Sequence, residues 1–266
     1  MSDAPPDGAL AARWAELRAA GRPALVAYLT AGHPEPAETA AFLGGAAAAG
    51  VDFVELGLPF SDPVADGPTI QASSHAALAG GMTLPRALDL LAGARPATPV
   101  IVFSYLNPIL ARGPARFARE ARAAGAAGLL VTDLPVGADA AVESGLAAAG
   151  LPLVRLVAPT SPPARQRAIV ARSQGFVYLV SRLGVTGESA TLSAALGPQV
   201  AALRTMTPLP IAVGFGIASE PQAAAAARLA DGIVIGSAVV ARMGRGGAAA
   251  ALAWLRKVRR ALDESR

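Results

Sequence analysis

A glutamate stands in the middle of an apolar run at 52–58, DFVELGL. Strand alternation puts Phe53, Glu55 and Gly57 on one face and Val54, Leu56 and Leu58 on the other. With the second set against neighbouring helices, Glu55 points into an apolar interior, where desolvation raises a carboxyl towards values suited to proton transfer near neutrality. An ion pair with an inward arginine such as Arg155 is the structural alternative. The loop that follows, PFSDPVADGPTIQ at 59–71, carries two more carboxylates, Asp62 and Asp66. Its prolines restrict the backbone and help to fix Asp66 over the mouth where Glu55 opens. Two carboxylates from one unit can divide acid and base roles, although an aspartate in such a loop also serves as a turn residue or helix cap.

Three later segments, RLGVTG (182–187), GFGI (214–217) and GIVIGSA (232–238), end apolar runs in glycine. Backbone N–H groups in such turns approach an anion closely and suit a phosphate group. The segment 183–191 has two glycines and few bulky residues, the composition of a closing lid. Tyr28, Tyr105 and Phe215 fall towards strand ends and, with Ile70, can line a pocket of aromatic size. His33 reads as a turn residue and His75 as part of a helix, which leaves little for a metal site.

Composition narrows the chemistry further. Cysteine is absent and the only lysine, Lys257, falls near the C-terminus among Arg256, Arg259 and Arg260. Thiol nucleophiles and cysteine metal sites are thereby excluded, and the placement of Lys257 argues against a Schiff base. The net charge of +4 is scattered, and the RKVRR cluster at 256–260 reads as the solvated side of a last helix, so no nucleic-acid partner is expected. Neither a secretory signal nor a membrane span is legible, and a cytoplasmic location is the expectation.

Positioning these groups requires a scaffold. Apolar runs at 24–31, 52–58, 99–106, 128–133, 152–158, 176–182, 209–215 and 231–237 predict strands, and alanine-rich stretches at 36–49, 114–124, 137–149, 162–173, 219–230 and 247–262 predict helices. Pro114, Pro162 and Pro221 mark helix starts, and Ser219 reads as a cap. Apolar strands alternating with helices mean a parallel sheet covered on both faces. Eight units over 266 residues predict a single α/β domain, a (β/α)8 TIM barrel, with an open doubly wound sheet as the second choice. A helix at 8–20, within an N-terminal segment 1–22, is expected to cap the barrel bottom. The site then lies at the C-terminal strand ends, where the residues above fall.

The run ELGLPFSDPVADGPTIQ at 55–71 closely resembles the tryptophan synthase alpha subunit family, as do YLTAGHP (28–34), SYLNP (104–108), VTDLP (131–135), FVYLVSRLGVTG (176–187), GFGI (214–217) and GSA (236–238). The likeness extends over nearly the whole chain. It implies retro-aldol cleavage of indole-3-glycerol phosphate to indole and glyceraldehyde 3-phosphate, without metal or Schiff base. Glu55 would protonate indole C3 and then take the side-chain hydroxyl proton, while Asp66 would bond to the ring nitrogen. Gly187, Gly216, Gly236 and Ser237 would hold the phosphate. Tyr28, Ile70, Phe103, Tyr105, Tyr178 and Phe215 would form or support the indole pocket, and Thr186 would belong to the lid. The resemblance also implies a pyridoxal-phosphate-dependent beta subunit as partner in an alpha2-beta2 complex. It would receive indole through a channel and dock on loop 59–66 and the segment near Asp133, with no cofactor held by this chain. A free-standing indole-glycerol-phosphate lyase and a non-catalytic activator of a beta subunit are the rival readings. His33 and Leu183 depart from the family, where Asp and Ala are common.

Overall fold

Eight apolar runs form eight parallel strands that close on themselves in chain order, each bonded to the next and the last to the first. The computed structural model describes residues 6–180, 194–214 and 216–265. In chain order these give α1 (Pro6–Ala19), β1 (Ala24–Thr30), α2 (Pro36–Gly45), β2 (Phe53–Gly57), α3 (Pro68–Ala79), α4 (Leu84–Ala94), β3 (Val100–Ser104), α5 (Leu106–Arg112) and α6 (Pro114–Ala123). Then follow β4 (Gly128–Val131), α7 (Ala140–Ala147), β5 (Leu153–Val157), α8 (Pro163–Val170), β6 (Val177–Val180), α9 (Leu196–Arg204), β7 (Ile211–Gly214), α10 (Glu220–Ala227), β8 (Gly232–Ile235) and α11 (Ser237–Glu264). The barrel expected from the sequence is therefore the fold, and the open sheet is not.

Two apolar layers explain why the strands are so uniformly hydrophobic. Leu25, Val54, Leu56, Val102, Leu129 and Ile233 face outward and pack with buried residues of the helices such as Phe42, Leu91, Phe117 and Leu255. Val26, Phe53, Ile101, Leu130, Val154 and Val234 face inward, where Leu10, Trp14 and Leu17 of α1 join them from below. Trp14 lies 5.0 Å from the Phe53 ring and 5.5 Å from Phe176, so α1 closes the lower end as the sequence suggests. Both layers bury apolar surface, which drives folding at roughly 25 cal/mol per Å². That leaves the upper inward positions free to carry polar groups.

Local differences from the sequence reading have local causes. The predicted helix 36–49 stops at Gly45 and resumes as a 3-10 turn at Ala47–Ala49. The strand expected to run to 106 ends at Ser104, because Tyr105 caps α5 and the backbone N–H of Leu106 donates to Asp133 at 2.6 Å. α8 starts one residue later than Pro162, which is its N-cap, with Pro163 inside. Ser219 caps α10 in a reciprocal box with Gln222, as its type and position suggest. α4, α5 and α9 fall outside the expected helices: α3 and α4 both follow β2 and α5 and α6 both follow β3, whereas α9 alone follows β6. The last helix begins at Ser237 rather than 247, with a break at Gly246 and Gly247. No described helix is long and apolar enough to cross a membrane.

A buried carboxylate ties the two ends of the chain to the barrel. Asp52, 1% exposed, accepts from the Leu25 N–H at 2.8 Å and pairs with Arg13 of α1 at 2.5 Å and Arg259 of α11 at 3.4 Å. Arg259 also donates to the Pro23 carbonyl at 2.9 Å and to Asp263 at 2.6 Å. Removing Asp52 strips the Leu25 N–H and the buried Arg259 guanidinium of an acceptor, although Arg259 keeps Asp263 and the partly exposed Arg13 keeps Glu16. Asp52→Ala is accordingly expected to cost about 3 kcal/mol in urea unfolding. A loss below about 0.5 kcal/mol, the size of a surface change, would contradict the clamp.

Candidate active site

Inward positions at the C-terminal strand ends bring Glu55 together with the aromatic residues expected around it. Glu55 is 1% exposed and stands opposite Tyr28 in the β1–β2 register. Its Oε1 has no hydrogen-bond partner among the described residues, and burial pushes its carboxyl up to about 8. The alternative of an Arg155 ion pair fails on parity: Arg155 shares its strand face with the outward Leu153 and Val157. It donates instead to Glu143 of α7 at 2.8 Å and to the Leu134 carbonyl at 3.3 Å.

Asp66 reaches the same mouth from the loop before α3. The loop folds on itself, with the Asp66 N–H donating to the Pro63 carbonyl at 3.0 Å, and the Gln71 side chain donating to the Asp66 carbonyl at 2.9 Å and to that of Pro63 at 3.3 Å. Tyr105 accepts from the Ala65 N–H at 3.0 Å and donates its O–H to Asp66 Oδ2 at 2.9 Å. Burial raises the Asp66 carboxyl above the usual range, and the Tyr105 hydrogen bond opposes that rise. The Phe60 ring packs on Tyr105 at 5.3 Å, which completes the hold on the loop. Asp62, by contrast, is exposed and lies away from this arrangement.

Tyr28 and Tyr178 lie within electrostatic reach of both carboxylates. Burial is the main reason that both phenols are raised, and both also feel the charges of Glu55 and Asp66. Two glycines give these rings room: a Cβ on Gly57 would collide with the Tyr28 hydroxyl, and one on Gly214 with that of Tyr178. Phe103 meets Tyr28 edge-on at 5.1 Å. Ile70 and Tyr28 converge on Gly236, where an added Cβ would lie 3.4 Å from Ile70 Cδ1 and 3.7 Å from Tyr28.

Gly236 is the N-cap of α11 and Ser237 its first residue, so the first N–H groups of this helix, which precede its regular hydrogen-bond ladder, adjoin the aromatic pocket. Gly216 follows β7 with a φ of +68°, a left-handed turn. Thr186 and Gly187, the departure at Leu183, and Phe215 lie outside the described residues. His33 is half-buried in the turn after β1, and His75 in α3 bonds through Nε2 to the Ser61 carbonyl at 3.0 Å.

This arrangement places a carboxyl raised to about 8 by burial, a second carboxylate held by a phenol, several aromatic rings and the start of a helix at one end of the barrel. The family model for the tryptophan synthase alpha chain matches residues 14–262. The chain belongs to that family. A tryptophan synthase alpha chain from Laribacter hongkongensis is 47% identical over 94% of this chain and 97% of its own. One from Caulobacter sp. (strain K31) is 48% identical over 86% of this chain and 84% of the relative. Among solved structures, the alpha subunit of tryptophan synthase from Legionella pneumophila superposes with a TM-score of 0.88 at 32% identity, covering 96% of this chain and 98% of that one. Mycobacterium tuberculosis tryptophan synthase gives 0.88 at 34%, covering 95% and 97%.

Sequence reasoning singled out Glu55, Asp66 and the pocket aromatics. The sequence alone assigns no role to Gln71, which holds the Pro63 and Asp66 carbonyls, to the bonded pair Thr30 and Ser73, or to Gly57 and Gly214 as spaces for tyrosine hydroxyls. Gln71 lay inside the motif quoted for the family, and its amide was the one available signal.

Proposed function

We propose that the chain cleaves indole-3-glycerol phosphate to indole and glyceraldehyde 3-phosphate, with Glu55 as acid and then base and Asp66 as the acceptor for the indole N–H. Membership of the alpha chain family supports this lyase activity. The observation that carries the residue assignment is Glu55 itself, a carboxyl raised to about 8 by burial at the upper end of the barrel lumen. Protonated at pH 7, it donates its proton to indole C3 and leaves a cationic ring. Asp66 stabilises that cation through the ring N–H. The Glu55 carboxylate then removes the proton of the hydroxyl on the adjacent side-chain carbon. As the C–C bond breaks, its electrons return to the ring and an aldehyde forms. Glu55 ends protonated, as it began.

Indole packs among Tyr28, Phe103, Tyr105, Tyr178 and Ile70 in this reading; Phe215, which the resemblance adds, lies outside the described residues. The phosphate takes backbone N–H groups at Gly236, Ser237 and Gly216; Gly187 and the lid residue Thr186, which the resemblance adds, lie outside the described residues. Gly236→Val keeps the N–H but fills the gap beside Ile70 and Tyr28, and is expected to raise KM about tenfold by blocking the approach of the phosphate to the backbone N–H groups. An unchanged KM would remove Gly236 from the phosphate site.

The partner in this reading is a tryptophan synthase beta subunit in an alpha2-beta2 complex, which takes up the released indole. Exposed apolar residues at the barrel mouth support it. Val64 is 82% exposed and Leu110 45%, and Phe60, Asn107, Pro108, Leu110 and Ala111 line a shallow cleft beside loop 59–66. Asp133, which bonds the first residue of α5, joins that rim. Pyridoxal phosphate belongs to the partner; Lys257 here is exposed on α11, away from the lumen. We read 1–266 as one domain, 1–22 forming the segment below the barrel, and a cytoplasmic location goes with such an enzyme. The test is indole release from indole-3-glycerol phosphate by the purified chain, alone and with a beta subunit. Slow release that rises many-fold with the partner is expected. Fast release alone favours a free-standing lyase, and none under either condition overturns the catalytic reading.

A further inference from the structure

A string of buried hydroxyls joins strand β1 to helix α3 directly behind the pocket. Thr30 Oγ1 and Ser73 Oγ are 2.6 Å apart, both residues are 1% exposed, and Ser73 donates to the Ile70 carbonyl at 2.7 Å. Each hydroxyl has a single hydrogen. Ser73 spends its hydrogen on Ile70, because a carbonyl only accepts. Thr30 must therefore donate to Ser73, and its remaining capacity towards Tyr28, 3.5 Å away, is that of an acceptor. The string runs in one direction, from Tyr28 to Thr30 to Ser73 to the Ile70 carbonyl.

Its location matters because α3 begins directly after the loop that carries Asp66. The side chain of Ile70 forms the pocket wall opposite Gly236, and Tyr28 stands opposite Glu55 in the register. We propose that Thr30 and Ser73 are positioning residues for the cleavage reaction, holding the first turns of α3 against β1 so that Asp66 and Ile70 keep their places relative to Tyr28 and Glu55. This rests on the lyase reading above. No part of the pair belongs to the anion-binding helix start at Gly236 and Ser237, so it acts on the reacting end of the substrate rather than on the phosphate. Small misplacements of catalytic groups lower kcat strongly while leaving remote binding intact.

Ser73→Ala is the direct test, since alanine is the best helix former and fills less space than serine. Steady-state kinetics with indole-3-glycerol phosphate, in the presence of a beta subunit, should show kcat reduced about tenfold with KM within about twofold. Ser73→Thr restores the hydroxyl and should recover kcat to within about twofold of the parent. Thr30→Val keeps the shape without the hydroxyl, and the double variant should be no slower than the slower single one, because both remove the same bond. Three results overturn the proposal: an unchanged kcat in Ser73→Ala, a rise in KM alone, or multiplied losses in the double variant. A parent that releases no indole overturns the lyase reading and this proposal with it; an active parent matched by Ser73→Ala overturns only this proposal.

Discussion

Glu55→Gln is expected to lower the rate of indole formation by about 10³-fold, within the range seen when a general acid–base group is removed. The substitution is nearly isosteric, so the apolar interior that Phe53 shares with Glu55 stays packed, but the amide has no acidic proton to give to C3. Substrate affinity should persist, because the helix start at Gly236 and the aromatic wall are untouched. Single-turnover indole release together with a direct binding measurement separates the two effects. Equal turnover in parent and variant would sink the assignment.

The same burial makes two pH predictions. Catalysis in the parent starts from the protonated carboxyl, so kcat/KM should fall as pH rises through about 8. Stability follows in the same direction. Glu55 has an ordinary value of 4.5 and a folded value of about 8, so between these the native state holds a proton that the unfolded chain has released. Unfolding free energy therefore declines with rising pH across that window, and the decline levels off above it. In Glu55→Gln this contribution to the slope should vanish, which denaturant unfolding at several pH values will read. An identical slope in the two proteins would mean that Glu55 is ionised in the fold.

Glu55 was legible in the sequence because one charged side chain in an apolar run must be paired, exposed or functional, and alternation turns it inward once Val54, Leu56 and Leu58 are set against the helices. The barrel was legible for a related reason: strands buried on both faces lose the polar alternation of a one-sided sheet, and eight such runs separated by helix formers have few other solutions. The parity of Arg155 was equally available, since Leu153 and Val157 share its face, but it needed the neighbouring helix to show Glu143 as the partner. Ser73 is different in kind. A serine in a helix says nothing by itself, and Thr30 lies 43 positions away. Their bond exists only because closing the barrel brings the end of β1 against α3. The spaces at Gly57 and Gly214 are likewise products of register: each glycine makes room for a tyrosine on the adjacent strand, and neither local sequence carries that information. Catalytic types are thus visible one residue at a time, whereas the contacts that hold them in place are relations between strands.

Asp66→Asn is expected to lower kcat about 10²-fold, the scale of losing one charge-stabilising group in a water-poor site. Asparagine keeps the shape of the side chain and can still accept from Tyr105, so the loop should stay in position. What disappears is the negative charge beside the indole nitrogen when the ring becomes cationic. Tyr105→Phe provides the comparison. That variant keeps the carboxylate but loses the phenol hydrogen bond, which opposes the rise of the Asp66 pKa caused by burial. Its activity should be depressed at low pH and partly recovered as rising pH ionises Asp66, before the deprotonation of Glu55 near 8 ends the recovery. Asp66→Asn has no proton to lose and should show no such recovery. Rate profiles from pH 5 to about 9 distinguish the two, since an acidic limb displaced in Tyr105→Phe and absent in Asp66→Asn is the signature of a carboxylate acting through its charge. Profiles of the same shape for both variants would mean that Asp66 only shapes the loop, and the stabilisation of the ring cation would then fall to another group.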